Sequence, residues 1–302
     1  MKGLSVSPEV RLALDEGKAV VALETALVTH GFAYPANVAI THRMAEAIRE
    51  EDALPAVVGV WEGRPTVGLS EAQVETLGSV ENVVKVSLRD LPLTGLRGDH
   101  GGTTVSATMW LAHRAGIRVF ATGGIGGVHR GHPEDVSADL PALATIPLVV
   151  VCAGAKAILD LPRTLEFLET WGVPVLGWKT AEFPAFYSRS SGLSVDESVS
   201  DAEEILAVYQ SQRDLDLSSG LLLTVPVSEM HEVPAVEVEP LIAQALDESE
   251  SQGIAGREVT PYLLARLVEL SGERTRLANE SLLVNNARVA ARVARALAGQ
   301  PR

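Results

Sequence analysis

The chain of 302 residues is 46% hydrophobic but only 4% aromatic, which is typical of a core built from Ala, Val, Leu and Ile. Its 25 basic and 39 acidic residues give a net charge of −14, which excludes a general attraction to nucleic-acid backbones or anionic membranes. The one cysteine, Cys152, excludes an intrachain disulfide, and its apolar neighbours predict a packed thiol rather than a nucleophile. With no secretion signal and no apolar stretch of about 18 residues, we expect a cytoplasmic protein that does not span a membrane.

Apolar runs alternate with amphipathic segments along most of the chain. This pattern predicts strands over residues 20–23, 56–60, 83–86, 117–121, 148–152, 173–177 and 220–225. It predicts helices over residues 7–14, 38–51, 71–77, 103–115, 161–171, 201–213, 235–252, 260–271 and 274–297. The alternation predicts one domain over residues 1–302, an α/β/α sandwich with a central, mostly parallel sheet and a helical C-terminal third.

Lys156 follows the densest apolar run in the chain, residues 148–152. A lysine at the end of a buried strand loses hydration, which disfavours its charged form. A neutral amine can attack a carbonyl carbon and form an imine, so this position predicts a covalent-lysine enzyme. The alternative is that Lys156 begins a helix over residues 156–160 and extends its ammonium group to water.

Two polar segments earlier in the chain also follow predicted strands. Glu24 ends the strand over residues 20–23, where a carboxylate with a raised pKa can act as a general acid, although a helix cap or surface residue fits equally. Residues 101–107 read GGTTVSA and open a predicted helix. The free N–H groups and dipole of a helix N-terminus favour phosphate, and the alternative is an ordinary N-cap.

A glycine-rich loop and two carboxylates follow the predicted strand over residues 117–121. The loop at residues 121–131 lacks the third glycine of the dinucleotide-binding fingerprint, and we interpret it as closing around a small ligand. Asp135 and Asp139 flank Ser137 and could serve a hard divalent cation. The alternative is a solvated turn in which Asp139 caps a helix.

Lys85 and Asn279 are weaker candidates. Lys85 lies in an apolar run and could bind phosphate as a cation. Asn279 lies among apolar residues, where an amide needs partners and could supply a donor and an acceptor to a heterocycle. Asn285 and Asn286 are interpreted as capping or packing residues.

Taken together, these segments resemble the pseudouridine-5′-phosphate glycosidase family, which also includes proteins named for indigoidine biosynthesis. The resemblance spans nearly the whole chain in the right order and departs at residues 132–134. Its matching blocks are ALETALVTHG at 22–31, KVSLRDLP at 85–92, GGTTVSATM at 101–109, FATGGIGGVHRG at 120–131, DVSADL at 135–140, VVCAGAKAILDLPRTLEFLET at 150–170, FPAFY at 183–187 and LAN…NNAR at 277–288.

The resemblance implies a role for each matching position. It implies Lys156 as the Schiff-base lysine, Glu24 as the proton donor and Asp135 as the ligand of Mn²⁺, with Mg²⁺ or another divalent ion as a substitute. It also implies an α/β/α fold that assembles as a homotrimer. The substrate-binding positions that it implies are Lys85, Val105, Ser137, Ala138, Asp139 and Asn279.

The implied reaction is reversible cleavage of the C–C bond between uracil C5 and ribose C1′ of pseudouridine 5′-phosphate, in pseudouridine catabolism. It gives uracil and ribose 5-phosphate through an imine on the ring-opened sugar. Three alternatives remain open: a class I aldolase-like enzyme that also uses a Schiff-base lysine, an accessory enzyme of pigment biosynthesis, and a non-catalytic protein that binds a phosphosugar or uridylate.

Overall fold

The computed structural model describes residues 3–254, 256 and 259–300. Within these ranges, no helix is both long and apolar enough to cross a membrane. The strands are β1 Ser5–Val6, β2 Val20–Leu23, β3 Leu54–Trp61, β4 Arg64–Val67, β5 Val84–Val86, β6 Gly101–Thr103, β7 Val119–Ala121, β8 Val128–His129, β9 His132–Val136, β10 Val149–Cys152, β11 Leu159–Asp160, β12 Val175–Trp178, β13 Glu197–Val199 and β14 Leu221–Thr224.

The helices alternate with these strands as far as β14, and a run of helices follows. Short 3₁₀ helices span Leu88–Leu93 and Glu229–His231. The α-helices are α1 Pro8–Asp15, α2 Ala26–His30, α3 Ala36–Glu50, α4 Glu71–Ser79, α5 Thr94–Arg97, α6 Val105–Ala115, α7 Asp139–Thr145, α8 Leu161–Thr170, α9 Ala202–Asp214, α10 Ala235–Ser251, α11 Val259–Leu270 and α12 Arg274–Leu297.

Eleven of the described strands form the main sheet. Nine of them lie in the order β1-β4-β3-β2-β7-β10-β14-β12-β13, and β6 pairs with both β3 and β5. All pairs are parallel except those of β3 with β4 and β6. From β2 the chain moves outward to β3 and β4, and then returns to β7 on the other side of β2. The strand order therefore reverses between β2 and β7, the kind of point at which open α/β sheets bind ligands.

The central strands β2, β7, β10 and β14 are buried at every residue. Such strands require cover on both faces of the sheet. Helices α3, α9 and α12 pack together, with α12 against β2, β7 and β10, while α6 packs against β2, β3 and α7. This arrangement confirms the predicted α/β/α sandwich, its mostly parallel sheet and its helical C-terminal third.

A second, 3-stranded antiparallel sheet in the order β11-β8-β9 was not predicted. Its strands β8 and β11 have two residues each, and every residue of β9 is exposed. Such short or uniformly exposed strands carry no alternation of apolar and polar residues, so the sequence gives no periodic signal for them. Residues 132–136, for which no strand was predicted, therefore form the edge strand β9.

The helix predicted from Thr103 begins at Val105, because Thr103 belongs to β6. The Thr103 N–H donates to the Thr25 hydroxyl at 3.0 Å, and the Thr103 hydroxyl donates to the Val58 carbonyl at 2.7 Å. These contacts with the N-cap of α2 and the middle of β3 hold Thr103 in the sheet. The glycine–hydroxyl segment is therefore a strand that leads into a helix.

The alternative helix over residues 156–160 is wrong. Lys156 lies in a loop between β10 and β11, and α8 begins only at Leu161. Asp160 is the N-cap of α8, because its carboxylate accepts the Arg163 N–H at 3.1 Å. This cap leaves Lys156 outside the helix, on the connection that follows the central strand.

Candidate active site

A cavity of about 430 Å³ lies beyond the carboxyl ends of β2, β7 and β10. Each sequence-predicted site residue lines it, although they come from segments far apart in the chain. They are Glu24, Lys85, Val105, Asp135, Ser137, Ala138, Asp139, Lys156 and Asn279. The structure therefore brings the predicted catalytic, substrate-binding and metal positions into one space.

Glu24 and Thr122 meet because they directly follow neighbouring parallel strands. Leu23 of β2 pairs with Ala121 of β7, so the next residue of each strand is placed side by side. The Thr122 hydroxyl donates a hydrogen bond to the Glu24 carboxylate. Thr122 is itself held in place by a 3.0 Å bond from its N–H to the Val151 carbonyl of β10. The carboxylate is thus oriented by the sheet and not by a flexible loop.

Glu24 is half-buried and lines the cavity. Burial raises the pKa of this carboxyl, and the negative charge of Asp139 adds to the rise. The positive charges of Lys156 and Lys85 and the hydrogen bond from Thr122 oppose it. Because burial is the largest effect, the pKa of Glu24 lies above its ordinary value of 4.5. A raised pKa favours the protonated form that a general acid requires.

The loop that carries Lys156 is joined by hydrogen bonds to the loop that follows β7. The Ala153 N–H donates to the Gly123 carbonyl at 2.8 Å, and the Ile125 N–H donates to the Gly154 carbonyl at 3.1 Å. The Lys156 N–H in turn donates to the Ile125 carbonyl at 3.1 Å. These bonds fix the backbone of Lys156 at the cavity, on the same framework as Thr122.

Asp139 is buried, with 6% of its surface exposed, and is not part of a solvated turn. One carboxylate oxygen accepts the Ser106 N–H at 3.0 Å, and the other accepts the Gly126 N–H at 2.8 Å. The cap of α7 is Ala138, so Asp139 is the first residue of the helix and not its cap. Its role in the structure is to hold the start of α6 and the glycine-rich loop beside the cavity.

Gly126 makes this close packing possible. A β-carbon at this position would collide with the side chain of Ser137 and lie 2.9 Å from an Asp139 oxygen. The glycine therefore lets the loop after β7 approach the start of α7. This approach places the Ser137 hydroxyl group at the cavity.

Three kinds of phosphate-binding group line the cavity. The first turn of α6 begins at Val105, whose side chain is buried, so that only its backbone is suited to a polar ligand. Lys85 of β5 and Arg89 of the following 3₁₀ helix line the same cavity, as does Ser137. Helix N–H groups, cations and hydroxyls are the usual donors to a phosphate.

Asp135 lies on the exposed strand β9 and lines the cavity. Within the described residues, no group of three or more His, Cys, Asp and Glu side chains is arranged to hold a metal ion. Mg²⁺ and Mn²⁺ next to a phosphate commonly use one or two carboxylates and keep several waters. The donor set at Asp135 fits such a water-rich site and does not fit a cage made by the protein alone.

Apolar side chains also line the cavity, among them Ala26, Leu27, Leu159, Phe186, Pro261, Leu264 and Leu283. The Phe186 ring packs so tightly on Gly124 that a β-carbon there would lie 2.7 Å from it. Phe186 has a left-handed backbone, with φ 64, and its N–H donates to the Ala153 carbonyl at 3.1 Å. Asn279 of α12 is the polar group next to this wall, beside Gly123.

Thr122 and Phe186 are the site residues that sequence reasoning missed. Thr122 had a usable signal, since it directly follows a predicted strand as Glu24 does. Phe186 lies in the matching block at residues 183–187, but its segment has no periodicity and reaches the cavity through a backbone bond to Ala153, just after β10.

Comparison with known proteins identifies the family. The family model described as indigoidine synthase A like protein matches residues 9–296. The chain belongs to the indigoidine synthase A-like family. It is an enzyme family, and a curated member, the pseudouridine-5′-phosphate glycosidase of Methylobacterium nodulans, is 53% identical over 98% of this chain and 88% of its own length. The glycosidase of the same name from Caldanaerobacter subterraneus is 47% identical over 96% of this chain and 95% of its own length.

Solved structures of this family share the fold. An indigoidine synthase A-like protein from Thermotoga maritima superposes with a TM-score of 0.89 at 38% identity, covering 97% of this chain and 95% of its own. The prealnumycin C-glycosynthase AlnA, solved in complex with ribulose 5-phosphate, has a TM-score of 0.90 at 37% identity. The match covers 98% of this chain and 97% of AlnA. The likeness therefore extends over the whole α/β/α sandwich.

Proposed function

We propose that this chain is a pseudouridine-5′-phosphate glycosidase, which reversibly cleaves pseudouridine 5′-phosphate into uracil and ribose 5-phosphate. The observation that carries the proposal is the presence of Glu24 and Lys156 in one cavity that also contains phosphate-type donors. Relatives of this name match the chain at about half identity over nearly its whole length. A C-glycoside lacks a heteroatom leaving group, so the usual pair of glycosidase carboxylates gives no easy route, whereas a lysine does.

In this proposal, the phosphate of the substrate binds at one end of the cavity and the uracil binds at the other. The phosphate lies against the first turn of α6, Lys85 and Ser137, where backbone N–H, ammonium and hydroxyl groups can all donate. The uracil lies against the apolar wall with Phe186, next to the amide of Asn279. Fixing the phosphate places C1′ of the sugar between Lys156 and Glu24.

The first chemical step opens the sugar ring. The Lys156 amine attacks C1′ while the bond from C1′ to the ring oxygen breaks. The nitrogen loses a proton as its bond to C1′ forms, and the ring oxygen takes up that proton and becomes the 4′-hydroxyl group. Carbon C1′ now carries both the lysine nitrogen and uracil C5.

The second step releases the base. The protonated carboxyl of Glu24 gives its proton to uracil C5, the carbon bonded to C1′. The nitrogen lone pair then forms the imine as the C1′–C5 electrons return to the uracil ring, which leaves neutral. Water hydrolyses the protonated imine to ribose 5-phosphate and the Lys156 amine, and the proton that this releases returns to Glu24.

A divalent cation, Mn²⁺ by the family resemblance, completes this proposal. Asp135 would hold it, together with waters, beside the phosphate end of the cavity. A bound ion of this kind supplies positive charge next to the substrate's negative phosphate.

The test is uracil release from pseudouridine 5′-phosphate, measured by chromatography with and without Mn²⁺. Lys156→Ala and Glu24→Gln are compared with Lys179→Ala, which changes an exposed lysine outside the cavity. We expect release by the wild type and the control, and a loss of at least about 100-fold in both site variants. No release by the wild type, with retention of the sugar phosphate, would favour a phosphosugar-binding protein. Turnover of ribulose phosphates instead would favour an aldolase-like enzyme.

A further inference from the structure

Asn286 is a buried amide on α12, outside the lining of the cavity. Its side-chain NH₂ group donates to two backbone carbonyls, those of Thr122 at 2.8 Å and Gly123 at 3.3 Å. The side-chain oxygen has no hydrogen-bond partner among the residues that the structure describes. Leaving a buried oxygen in this state is unfavourable, so the position is not explained by folding stability alone.

The two carbonyls belong to the junction of the catalytic loops. Thr122 carries the hydroxyl group that donates to Glu24. The Gly123 carbonyl also accepts the Ala153 N–H at 2.8 Å, which begins the set of backbone bonds that ends at Lys156. The Asn286 side chain therefore contacts the backbone that positions Glu24 and the backbone that positions Lys156, without itself lining the cavity.

The amide is held rigidly enough to act on these loops. Its helix α12 packs against β2, β7 and β10, the strands from which the loops emerge. The neighbouring residues Leu282, Leu283 and Ala287 are all buried, with at most 1% of their surface exposed. Leu283 also lines the cavity one turn before Asn286, so this face of α12 is fixed relative to the site.

We propose that Asn286 is a positioning residue, which sets the spacing of Glu24 and Lys156 by holding the Thr122–Gly123 carbonyls. This inference rests on the proposed function, because it assigns Asn286 to the alignment of the same two groups. A displacement of about 1 Å at a catalytic group can lower the rate by about 100-fold. In the described part of the chain, Asn286 makes no hydrogen bond to Lys85, Ser137, Phe186 or Asn279, the side chains to which substrate binding is assigned.

The test is Asn286→Leu, which keeps the side-chain shape and removes the amide. The control is Gln212→Leu on α9, a second buried amide, whose NH₂ group donates to the Ser219 hydroxyl at 3.3 Å away from the cavity. We expect kcat for uracil release to fall about 100-fold in Asn286→Leu, with KM and the thermal midpoint close to wild type. The control keeps the wild-type kcat.

Hydrogen–deuterium exchange provides a second readout that does not depend on activity. We expect faster exchange in Asn286→Leu over residues 122–126 and 153–156, with the rest of the sheet unchanged. If Asn286→Leu does not fold, Asn286→Ser, which removes the amide without adding volume, takes its place in both measurements.

An unchanged kcat with unchanged exchange would overturn the proposal, as would equal losses of kcat in the control. Absence of uracil release by the wild type would overturn the proposed function. The exchange measurement would then still decide whether the amide holds the two loops together.

Discussion

The Thr122 hydroxyl group donates to the Glu24 carboxylate across the point at which the strand order of the main sheet reverses. The two residues are 98 positions apart in the chain, and the pairing of β2 with β7 brings them together. This bond favours the ionised carboxylate, whereas burial favours the protonated one and is the larger effect. The bond therefore limits the rise in the pKa of Glu24 as well as orienting its carboxyl group.

Thr122→Val removes this donor and should raise the pKa of Glu24 further. Because the proposed role of Glu24 requires its proton, kcat/KM falls as the pH rises through this pKa. We expect this fall to move to higher pH in Thr122→Val, with a lower maximum because the carboxyl group is less well oriented. The measurement is the pH profile of kcat/KM, with Thr145→Val on the exposed face of α7 as the control. An identical profile in both variants would contradict the account.

The raised pKa of Glu24 also predicts a pH dependence of stability. The folded protein binds this proton more tightly than the unfolded chain, so the contribution is fully present below the ordinary pKa of 4.5. It is lost as the pH rises through the higher folded pKa. Glu24→Gln has no proton to lose and should lack this decrease.

Urea unfolding of wild type and Glu24→Gln at a series of pH values measures the difference. We expect Glu24→Gln to gain in free energy of unfolding, relative to wild type, as the pH rises above 4.5. Glu46→Gln on the exposed face of α3 is the control, and its difference from wild type should stay constant. A Glu24→Gln difference that is independent of pH would show that burial does not raise this pKa.

Lys85→Ala tests the phosphate end of the cavity. A hydrogen bond to a charged group contributes about 1.5–3 kcal/mol, so its loss should raise KM by about 10- to 100-fold. The change in kcat should be smaller, because Lys85 does not take part in bond breaking. The control is Lys18→Ala, which changes an exposed lysine paired with Glu16. Steady-state kinetics that show an unchanged KM for Lys85→Ala would remove this residue from the phosphate site.

Asp135 is tested by the concentration of Mn²⁺ that restores activity after treatment with a chelator. Asp135→Asn should require a higher concentration than wild type, because a neutral amide is a weaker ligand for a hard cation. Glu134→Gln changes the neighbouring carboxylate on the same exposed strand and should leave the requirement unchanged. Equal requirements in wild type and Asp135→Asn would place the ion elsewhere or exclude its role.

Local sequence patterns predicted residues at or shortly beyond the ends of apolar strands. Glu24 and Lys156 were found in this way, and the structure places both at the cavity. The partner of Glu24 was not found, because Thr122 becomes its neighbour only through the sheet order, which the sequence does not state. The fold class was also predicted from the sequence, because the buried strands of a covered sheet carry a strong apolar signal.

The hydrogen-bond partners of buried polar residues could not be predicted from the sequence. A solvated turn that caps a helix was one interpretation of Asp139, but it is buried and bonded to the start of α6 and to the glycine-rich loop, 33 and 13 positions away in the chain. Asn286 was interpreted as a capping or packing residue, and its contacts with Thr122 and Gly123 join segments more than 160 positions apart. Hydrogen bonds of this range leave no periodic trace in a sequence.

The central claim is a covalent bond between Lys156 and the sugar. We would incubate the protein with pseudouridine 5′-phosphate, reduce it with borohydride and identify the modified peptide by mass spectrometry. The account predicts reduced ribose 5-phosphate on Lys156 and no adduct in Lys156→Arg, whose guanidinium cannot form the imine. Uracil release by the wild type with no adduct, or with an adduct on another lysine, would contradict it.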